Sequence, residues 1–362
     1  MGSTIGQNIK ITLFGESHGP VVGVTIDGLK PGIKLDHEYI KNELIKRSPT
    51  SSLSTKRHES NDYEIISGYF NGYTTGTPIT IIFKNEDIKM GDYKPNMIRP
   101  GHADYSAFLK YNGYQDYRGG GHFSGRMTAP LVACGAICKK ILEQKGIFIG
   151  SHVKQIGDIV DVDFAVNKYE LSKQINYVNT LSFPTISPVV KEQMIERINA
   201  VKEENDSIGG IIESAALNVE GGIGEPFFHS IESVLSALIF SIPGVKGVEF
   251  GKGFEFASLL GSVANDQFSY QEGIKILSNN NGGINGGISN GMPIIVKTAI
   301  KPTPSIGKAQ STVDLLKNKT TTLKLKGRYD PCIVSRACVI LDSVIAIGLL
   351  DLYIERYGYE WI

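Results

Sequence analysis

Apolar positions along this chain follow two alternating patterns, one typical of strands and one typical of helices. Runs rich in β-branched residues, bounded by turn-forming residues, predict strands at residues 10–14, 21–26, 63–67, 77–83, 147–156, 208–219 and 293–300. Apolar residues at helical spacing predict helices at residues 36–47, 131–142, 231–242 and 337–354, and one more that opens at residues 187–188. The chain is therefore expected to combine sheets and helices.

Two of the predicted helices, residues 131–142 and 337–354, are unusually apolar. In the second, Asp342 and Asp351 leave only residues 343–350 uncharged, far short of the roughly 20 residues that a membrane span needs. Helices that are apolar on all sides are expected where both sides are covered, as in a layer between sheets. We therefore predict two buried helices and no membrane span.

The charge balance and the cysteine content limit the class of protein. The 362 residues include 37 Lys+Arg and 37 Asp+Glu, without a long basic run, so a nucleic-acid or membrane-surface binder is not expected. Apolar residues make up 41% and charged residues 20%, which is typical of a globular protein. The four cysteines fit neither metal-binding spacing nor a disulfide scaffold, and residues 1–10 do not resemble a signal peptide. A cytoplasmic location and buried thiols are expected, with Cys134 and Cys138 in the core.

The most informative stretch is residues 99–130, which carries three successive glycines between Arg118 and Arg126. Glycine loses the most backbone entropy on folding, so this run indicates a main chain that turns with positive φ or lets a ligand approach closely. The helix that begins after it offers free N–H groups, and with the two arginines it would bind an anion, most naturally a phosphate. His102 and His122 add titratable groups. A glycine turn with solvated side chains is the alternative.

Two earlier turns carry side chains suited to catalysis or phosphate binding. Residues 15–20 expose Glu16, Ser17 and His18 between glycines, although the serine offset differs from that of a nucleophile elbow. Residues 48–60 combine hydroxyl and cationic side chains without an apolar period, which predicts a mobile loop. A solvated turn fits either pattern equally well.

Two later stretches add further charged turns. Residues 279–291 form a second glycine-rich loop, and Lys301 ends a predicted strand, where a lysine suits a phosphate or a flavin edge. Arg328 and Asp330 share one turn. A surface ion pair between them would contribute only about 0 to 1 kcal/mol, so stability alone does not account for it.

Taken in order, these motifs resemble those of the chorismate synthase family. The matching stretches are GESHG at 15–19, RPGHADY at 99–105, YRGGG at 117–121, SGR at 124–126 and GRYDPC at 327–332. Shorter matches between them extend the resemblance from residue 5 to about residue 350. Three positions depart from the pattern: Tyr329 replaces a frequent His, His122-Phe123 replaces a frequent Arg-Ser, and residues 48–56 lack the second arginine that often follows Arg47.

The resemblance implies a fold, an assembly and a reaction. It implies one α+β domain over residues 1–362, with long buried helices sandwiched between antiparallel β-sheets by internal duplication, assembled as a homotetramer. The implied enzyme is a lyase that makes chorismate by anti-1,4-elimination of phosphate from 5-enolpyruvylshikimate 3-phosphate, the last step of the shikimate pathway towards aromatic amino acids. It requires reduced FMN. No nucleotide-binding fingerprint is present, which favours an external flavin reductase, with NADPH as an indirect reductant.

The resemblance also implies roles for individual residues. His102 would hold a proton near the substrate phosphate, His18 would stabilise the reduced flavin, and Asp330 would act as a base near flavin N5. Ser17 and Ser124 would position the proton relay. The flavin contacts would be His122, Phe123, Ser124, Gly286, Lys301, Pro302, Thr303, Pro304, Ser305 and Arg328. The substrate would be bound by Arg47, Arg126 and Arg336, and no metal is implied.

Two other classes of protein remain open on the residues alone. A metal hydrolase could use Glu16, His18, His102 and Asp104, although no HExxH helix or i, i+4 His pair is present. A non-catalytic phosphate-binding protein would use the same glycine loops and arginines, but it would not need two histidines and an aspartate in separate turns. Metal analysis and flavin titration separate these possibilities.

Overall fold

The computed structural model describes residues 2–49, 60–86, 96–270, 272–325 and 329–362. In the N-terminal half the elements are β1 (Thr4–Ile5), β2 (Lys10–Gly15), β3 (Val21–Asp27), α1 (His37–Arg47), β4 (Glu64–Ser67), β5 (Tyr69–Phe70), β6 (Tyr73–Thr74), β7 (Ile79–Lys84), α2 (Asp104–Tyr111) and α3 (Thr128–Gln144). Short 3₁₀ helices at Arg118–Phe123 and Gly125–Met127 connect α2 to α3.

The C-terminal half begins directly after α3. Its elements are β8 (Phe148–Ile156), β9 (Ile159–Val160), α4 (Lys168–Val178), α5 (Pro188–Glu203), β10 (Gly210–Leu217), α6 (Ile231–Phe240), β11 (Val245–Phe250), α7 (Gly261–Ala264), β12 (Phe268–Tyr270), β13 (Ile274–Ile276), β14 (Ile284–Asn285), β15 (Ile288–Ser289), β16 (Ile294–Ile300), β17 (Gln310–Asp314), β18 (Lys319–Leu323) and α8 (Val334–Tyr357).

Each half contributes one antiparallel sheet of five strands. The strand orders are β1-β2-β3-β7-β4 and β9-β8-β10-β16-β11. Apart from insertions, the chain runs β2, β3, α1, β4, β7, α3 in the first half and β8, β10, α6, β11, β16, α8 in the second. Corresponding strands have corresponding neighbours in the two sheets. This shared topology confirms the expected internal duplication.

The long helices α3 and α8 pack against each other between the sheets. Helix α3 contacts β3 and β7 of the first sheet and β8 of the second, and α8 contacts β8 and β10. Every residue of α8 from 337 to 354 is buried. The helix is long and apolar enough to cross a membrane, but its apolar stretch lies entirely inside the protein. The predicted α+β sandwich with buried helices is confirmed.

The two buried aspartates of α8 each have a structural partner. Asp342 Oδ2 lies 3.2 Å from the Lys139 ammonium of α3, which lies 3.2 Å from Glu43 of α1. Burial alone would lower the pKa of Lys139, but the two carboxylates hold it well above its ordinary value. This buried ion triad joins three helices.

Asp351 binds the chain that leads into β2. Its carboxylate accepts hydrogen bonds from the backbone N–H groups of Gln7, Asn8 and Ile9 at 3.0, 2.7 and 2.8 Å. The N–H of Ile9, a fully buried residue, would otherwise lie next to an apolar helix without an acceptor. The charge that interrupts the apolar sequence therefore attaches the N-terminal segment to the helical layer.

A second buried charge cluster lies in the second sheet. His152 of β8 is fully buried, with Nε2 3.0 Å from Glu213 of β10 and Nδ1 3.5 Å from Asp161. Burial disfavours the charged imidazole, but the hydrogen bonds to the two carboxylates raise the pKa of His152 above its ordinary value. The histidine therefore links two strands and the loop after β9.

Several local predictions can be compared with the structure directly. Helix α1 begins at His37, and the predicted N-cap Asp36 accepts a hydrogen bond from the Tyr39 N–H at 3.0 Å. Cys134 and Cys138 are free, buried core residues as predicted. The predicted mobile loop at 48–60 lies mostly outside the described residues.

Candidate active site

A cavity of about 870 Å³ is lined by both halves of the chain. Its volume lies in the upper part of the range of about 300–1,000 Å³ typical of small-molecule sites. From the N-terminal half the polar lining includes Ser3, His18, Arg47, Arg99, His102, His122, Ser124 and Thr128. From the C-terminal half it includes Ser241, Lys246, Lys301, Thr303, Ser305, Tyr329, Asp330 and Arg336. Most of the residues singled out in the sequence thus meet at one place.

His18 is held against the glycine run by direct ring-to-backbone packing. Its Nδ1 lies 3.3 Å from the hydroxyl of Ser17, which is fully buried behind it. A Cβ at Gly119 would lie 2.1 Å from His18 Cε1, and Gly119 has a φ of +58°, so the position requires glycine for two reasons. The backbone N–H of Ser17 also donates to the carbonyl of Gly121 at 3.1 Å. The glycine run therefore forms a cradle for His18.

His102 belongs to a separate polar cluster at the start of α2. Its Nδ1 lies 2.7 Å from Asp104 Oδ1, and Arg99 binds the same carboxylate through Nε and Nη2, both at 2.8 Å. Burial would raise the pKa of Asp104, but the hydrogen bonds from Arg99 and His102 hold it well below its ordinary value. Asp104 is therefore ionised at neutral pH, and it fixes the orientation of the His102 ring.

His122 and Phe123, which depart from the family pattern, both line the cavity. His122 Nδ1 lies 2.8 Å from the carbonyl oxygen of Gly15, so this nitrogen must carry the proton and donate. Its Nε2 lies 3.2 Å from the hydroxyl of Ser3. The imidazole therefore links β1 and β2 to the glycine run, and the phenyl ring of Phe123 lies at the cavity wall beside Tyr111.

Two of the three predicted substrate arginines, Arg47 and Arg336, line the cavity. Arg47 donates from Nε to Thr128 Oγ1 at 2.9 Å and from Nη2 to the Gly125 carbonyl at 3.3 Å. Arg336 donates from Nε to the carbonyl of Arg47 at 2.9 Å and from Nη1 to Asp330 Oδ1 at 2.9 Å. These contacts bring the end of α1, the start of α3 and the start of α8 to one wall.

Residues 301–305 of the C-terminal half supply a cation and hydroxyl groups to the cavity. The Lys301 ammonium donates to the carbonyl of Gly101, and burial together with nearby Lys246 lowers the pKa of Lys301. Thr303 donates from its hydroxyl to the Asp330 carbonyl at 2.7 Å. The predicted flavin-contact run and the predicted base are therefore in direct contact.

Of the predicted residues that the structure describes, Ser17, Arg126 and Gly286 do not line the cavity. Arg126 is buried, with Nε 3.1 Å from Asn85 Oδ1 and Nη2 3.0 Å from the Lys84 carbonyl, and its predicted binding of substrate stays a prediction. Gly286 lies exposed in the turn between β14 and β15 and does not line the cavity. Arg328 lies outside the described residues.

The anion site proposed for the glycine run differs from the observed arrangement. Arg118 binds Asp116 through two nitrogens, with Nε–Oδ1 at 2.9 Å and Nη2–Oδ2 at 2.8 Å, and it does not line the cavity. The helix that follows is preceded by a 3₁₀ turn whose N-cap is Ser124, which accepts the Arg126 N–H at 3.3 Å. The glycine run therefore packs mainly against the rings of His18 and His102.

Sequence analysis missed two cations of this cavity. Arg99 begins a recognised motif, but nothing in the sequence showed that its guanidinium would be placed beside His102. Lys246 follows the Pro243-Gly244 stop of α6 and reaches the site because β11 lies at the edge of the second sheet. In the described lining, the cations Arg47, Arg99, Lys246, Lys301 and Arg336 face one carboxylate, Asp330. Such a cavity favours a ligand with several negative charges.

The metal-hydrolase alternative can be compared with the same geometry. Within residues 2–49, 60–86, 96–270, 272–325 and 329–362, no three His, Cys, Asp or Glu side chains are arranged to hold a metal ion. Asp104 is instead bound by an arginine and a histidine. The described residues therefore offer no ligand set for that class of enzyme.

Comparison with known proteins places this geometry in a family. The family model described as chorismate synthase matches residues 9–354. The chain is 45% identical to the chorismate synthase of Pyrococcus abyssi and 44% identical to that of Thermococcus kodakarensis, each over 98% of both chains. A crystal structure of chorismate synthase superimposes with a TM-score of 0.77 at 31% identity, covering 98% of this chain and 94% of the other. The chain therefore belongs to the chorismate synthase family.

Proposed function

We propose that the shared cavity is where this lyase converts 5-enolpyruvylshikimate 3-phosphate to chorismate by anti-1,4-elimination of phosphate. One observation supports this assignment most directly: His18 and His102, from separate loops, line the same cavity as cations from both halves of the chain. The substrate carries a phosphate and two carboxylates, so it needs several cations. The elimination also needs groups that hold and move protons near neutral pH, which histidine does.

We propose that Arg47 and Arg336 bind the anionic groups of the substrate. Each guanidinium is already oriented by backbone or hydroxyl acceptors, so little side-chain freedom is lost when a ligand binds. As the phosphate leaves, its negative charge grows, and cations fixed beforehand stabilise that charge without reorganising. The role of these arginines is therefore to bind the substrate and to stabilise the departing phosphate.

The residues that line the cavity suit a flavin such as FMN in their chemistry. The apolar part of its lining, which would suit a flat ring system, is Ile5, Ile11, Leu13, Met127, Leu131, Leu238, Ile242 and Ile340. Lys246, Lys301 and the hydroxyls of Thr303 and Ser305 offer partners for a phosphate and for ring heteroatoms. When bound, reduced FMN would supply transient electron transfer to the substrate. We propose that residues 301–305 and Ser124 hold it.

Three titratable residues of the protein would each hold or transfer a proton at a different place in the reaction. His18, supported by Ser17, would donate a hydrogen bond to the flavin and so favour its anionic reduced form. His102, supported by Asp104, would hold a proton near the leaving phosphate. Asp330, oriented by Arg336 at 2.9 Å, would act as the base near the flavin. Because the three groups lie on different loops, each can serve a different atom of the reaction.

We further propose a homotetramer whose subunits contact one another through residues 253–277. In the described part of this segment, four large apolar side chains are mostly exposed: Phe254 at 83%, Phe268 at 70%, Tyr270 at 81% and Ile274 at 77%. So many large apolar side chains together are typical of an interface rather than of free surface. Analytical ultracentrifugation checks this: a tetramer that dissociates on Phe268→Glu and Ile274→Lys is expected, and a wild-type monomer would contradict the proposal.

The cellular setting and the domain organisation are proposed on separate observations. We propose one domain over residues 1–362, since the main apolar core includes residues from both sheets and from the helices between them. We propose a cytoplasmic location, since the four cysteines are buried free thiols, which suits a reducing compartment. We propose that an external flavin reductase supplies reduced FMN, with NADPH as the indirect electron source.

An anaerobic assay of phosphate release from 5-enolpyruvylshikimate 3-phosphate with chemically reduced FMN tests the proposed function. Arg336→Ala should lower substrate affinity by roughly 10-fold or more, because a charge-assisted hydrogen bond is worth about 1.5–3 kcal/mol. Arg197→Ala is the matched control, since this arginine is exposed and does not line the cavity. Tight flavin and substrate binding without phosphate release would instead indicate a non-catalytic phosphate-binding protein.

A further inference from the structure

We infer that Asp104 is a positioning residue: fixed by Arg99, its carboxylate keeps a proton on His102 Nδ1, so that His102 exchanges protons with its ligand only through Nε2. The inference rests on the proposed function, in which His102 handles a proton near the leaving phosphate. It adds that the acid–base behaviour of His102 is set by two residues that need not touch substrate or flavin.

The first argument is the location of the proton in the contact between Asp104 and His102. Asp104 Oδ2 accepts the backbone N–H and the Nε–H of Arg99 at 2.9 and 2.8 Å, and Oδ1 accepts Nη2–H at 2.8 Å. A carboxylate bound by three N–H groups is acceptor-only at neutral pH. His102 Nδ1 lies 2.7 Å from Oδ1, and a carboxylate this close to the ring nitrogen favours a proton on Nδ1.

In a competing arrangement, Arg99 donates a hydrogen bond to His102 Nδ1. Arg99 Nη2 also lies 3.2 Å from His102 Nδ1 and could donate to it if that nitrogen were unprotonated. A bare Nδ1 would then direct its lone pair at a carboxylate oxygen only 2.7 Å away. Because this repulsion acts over the shorter distance, the protonated Nδ1 is favoured, and Arg99 serves to fix the carboxylate.

The second argument is the position of the other ring nitrogen. A Cβ at Gly120 would lie 3.2 Å from both Nε2 and Cε1 of His102, so this edge of the ring faces the glycine run at the cavity wall. The charged groups around the ring are Arg99 and Asp104 on its own segment and Lys301, which donates to the Gly101 carbonyl. Arg99 Nη1 also lies 3.4 Å from Ser305 Oγ, which links the cluster to the proposed flavin segment.

The direct test is the tautomer of His102 in the wild-type holoenzyme. Nitrogen-15 NMR, with the His102 signals assigned by their loss in His102→Asn, should show the neutral ring protonated at Nδ1. In Asp104→Asn the amide can donate to Nδ1, so the neutral ring should carry its proton on Nε2 instead. A wild-type ring protonated at Nε2 would overturn the inference, whatever the activity. Because this measurement uses the wild type, it does not depend on how well the variant folds.

The kinetic test asks whether Asp104 acts through His102. Asp104→Asn should lower turnover by about 10²-fold or more while KM for substrate changes less than about threefold, because the ring of His102 is no longer held in the working tautomer. Glu355→Gln is the matched control: Glu355 lies 2.6 Å from His229 Nδ1, away from the cavity, so turnover and KM should stay unchanged.

The double variant separates this inference from the proposed function. If Asp104 acts through His102, then His102→Ala/Asp104→Asn should be as slow as His102→Ala alone. Multiplying losses would show that Asp104 acts by another route and would overturn the inference. Full activity of His102→Ala would instead overturn the proposed role of His102, while the tautomer would still report whether Asp104 positions the ring.

Discussion

Replacing Gly119 by alanine should displace His18 and lower activity without unfolding the protein. The added Cβ would lie 2.1 Å from His18 Cε1, whereas ordinary van der Waals contact begins at 3.4 Å. The ring must therefore move by about 1.3 Å. A misplacement of about 1 Å at a reacting group can cost about 10²-fold in rate, so turnover should fall by about that factor.

The backbone cost of the substitution must be separated from its effect on His18. Gly119 has a φ of +58°, and a side chain in the left-handed region costs roughly 1–2 kcal/mol. Gly146 provides the control, because its φ is +80° and nothing lies within 4 Å of its Cβ position. Gly119→Ala and Gly146→Ala should therefore lose similar free energies of unfolding in urea, but only the first should lose activity.

The assay is phosphate release under anaerobic conditions with chemically reduced FMN, run beside the urea titration of each variant. Flavin binding, followed by absorbance, should remain measurable in both variants. If Gly119→Ala turns over within about threefold of Gly146→Ala, then the contact between His18 and the glycine run does not position a catalytic group, and the reasoning fails.

Three further predictions concern buried charges. Lys139→Met should lower the free energy of unfolding by about 3–5 kcal/mol, because it leaves two buried carboxylates without their cation, whereas Lys140→Met, at a partly exposed ion pair, should cost about 1 kcal/mol or less in the same urea titration. Asp351→Ala should cost about 3 kcal/mol or more, because three backbone N–H groups lose their acceptor, and a loss below about 1 kcal/mol by thermal unfolding would contradict this. The stabilisation from His152 should be complete below about pH 6.5 and should decrease as pH rises through its raised folded-state pKa, so the stability difference between wild type and His152→Gln should be smaller at pH 9 than at pH 6.

The sequence predicted best those elements whose signals are local. Helix α1 has its N-cap Asp36 and its apolar face within one short segment, and its predicted bounds agree with the structure. The hairpin of β17 and β18 was not predicted, since its strands are defined by pairing with each other. Helix α4 was missed although its N-cap Asn167 and its apolar face are local signals. Local pattern therefore identified elements, while pairing partners depended on tertiary contacts.

The candidate site was predicted in its residue types more than in its geometry. Motif spacing singled out His18, His102 and Arg336, which line one cavity. It also singled out Arg126, whose guanidinium contacts Asn85 and the Lys84 carbonyl, and whose substrate role stays a prediction. The contact of Arg126 with the residues at the end of β7 joins segments far apart in the sequence, so the motif alone could not indicate it.

The division of the cavity wall between the two repeats has a consequence for how the chain could be split. A break between α3 and β8 would give two fragments, each with its own five-stranded sheet and its own long helix. The N-terminal fragment would keep His18 and His102, and the C-terminal fragment would keep residues 301–305, Asp330 and Arg336. Each fragment would expose the apolar face along which α3 and α8 normally meet. Catalysis by separately produced fragments would therefore require complementation, and its onset would report the docking of α3 against α8.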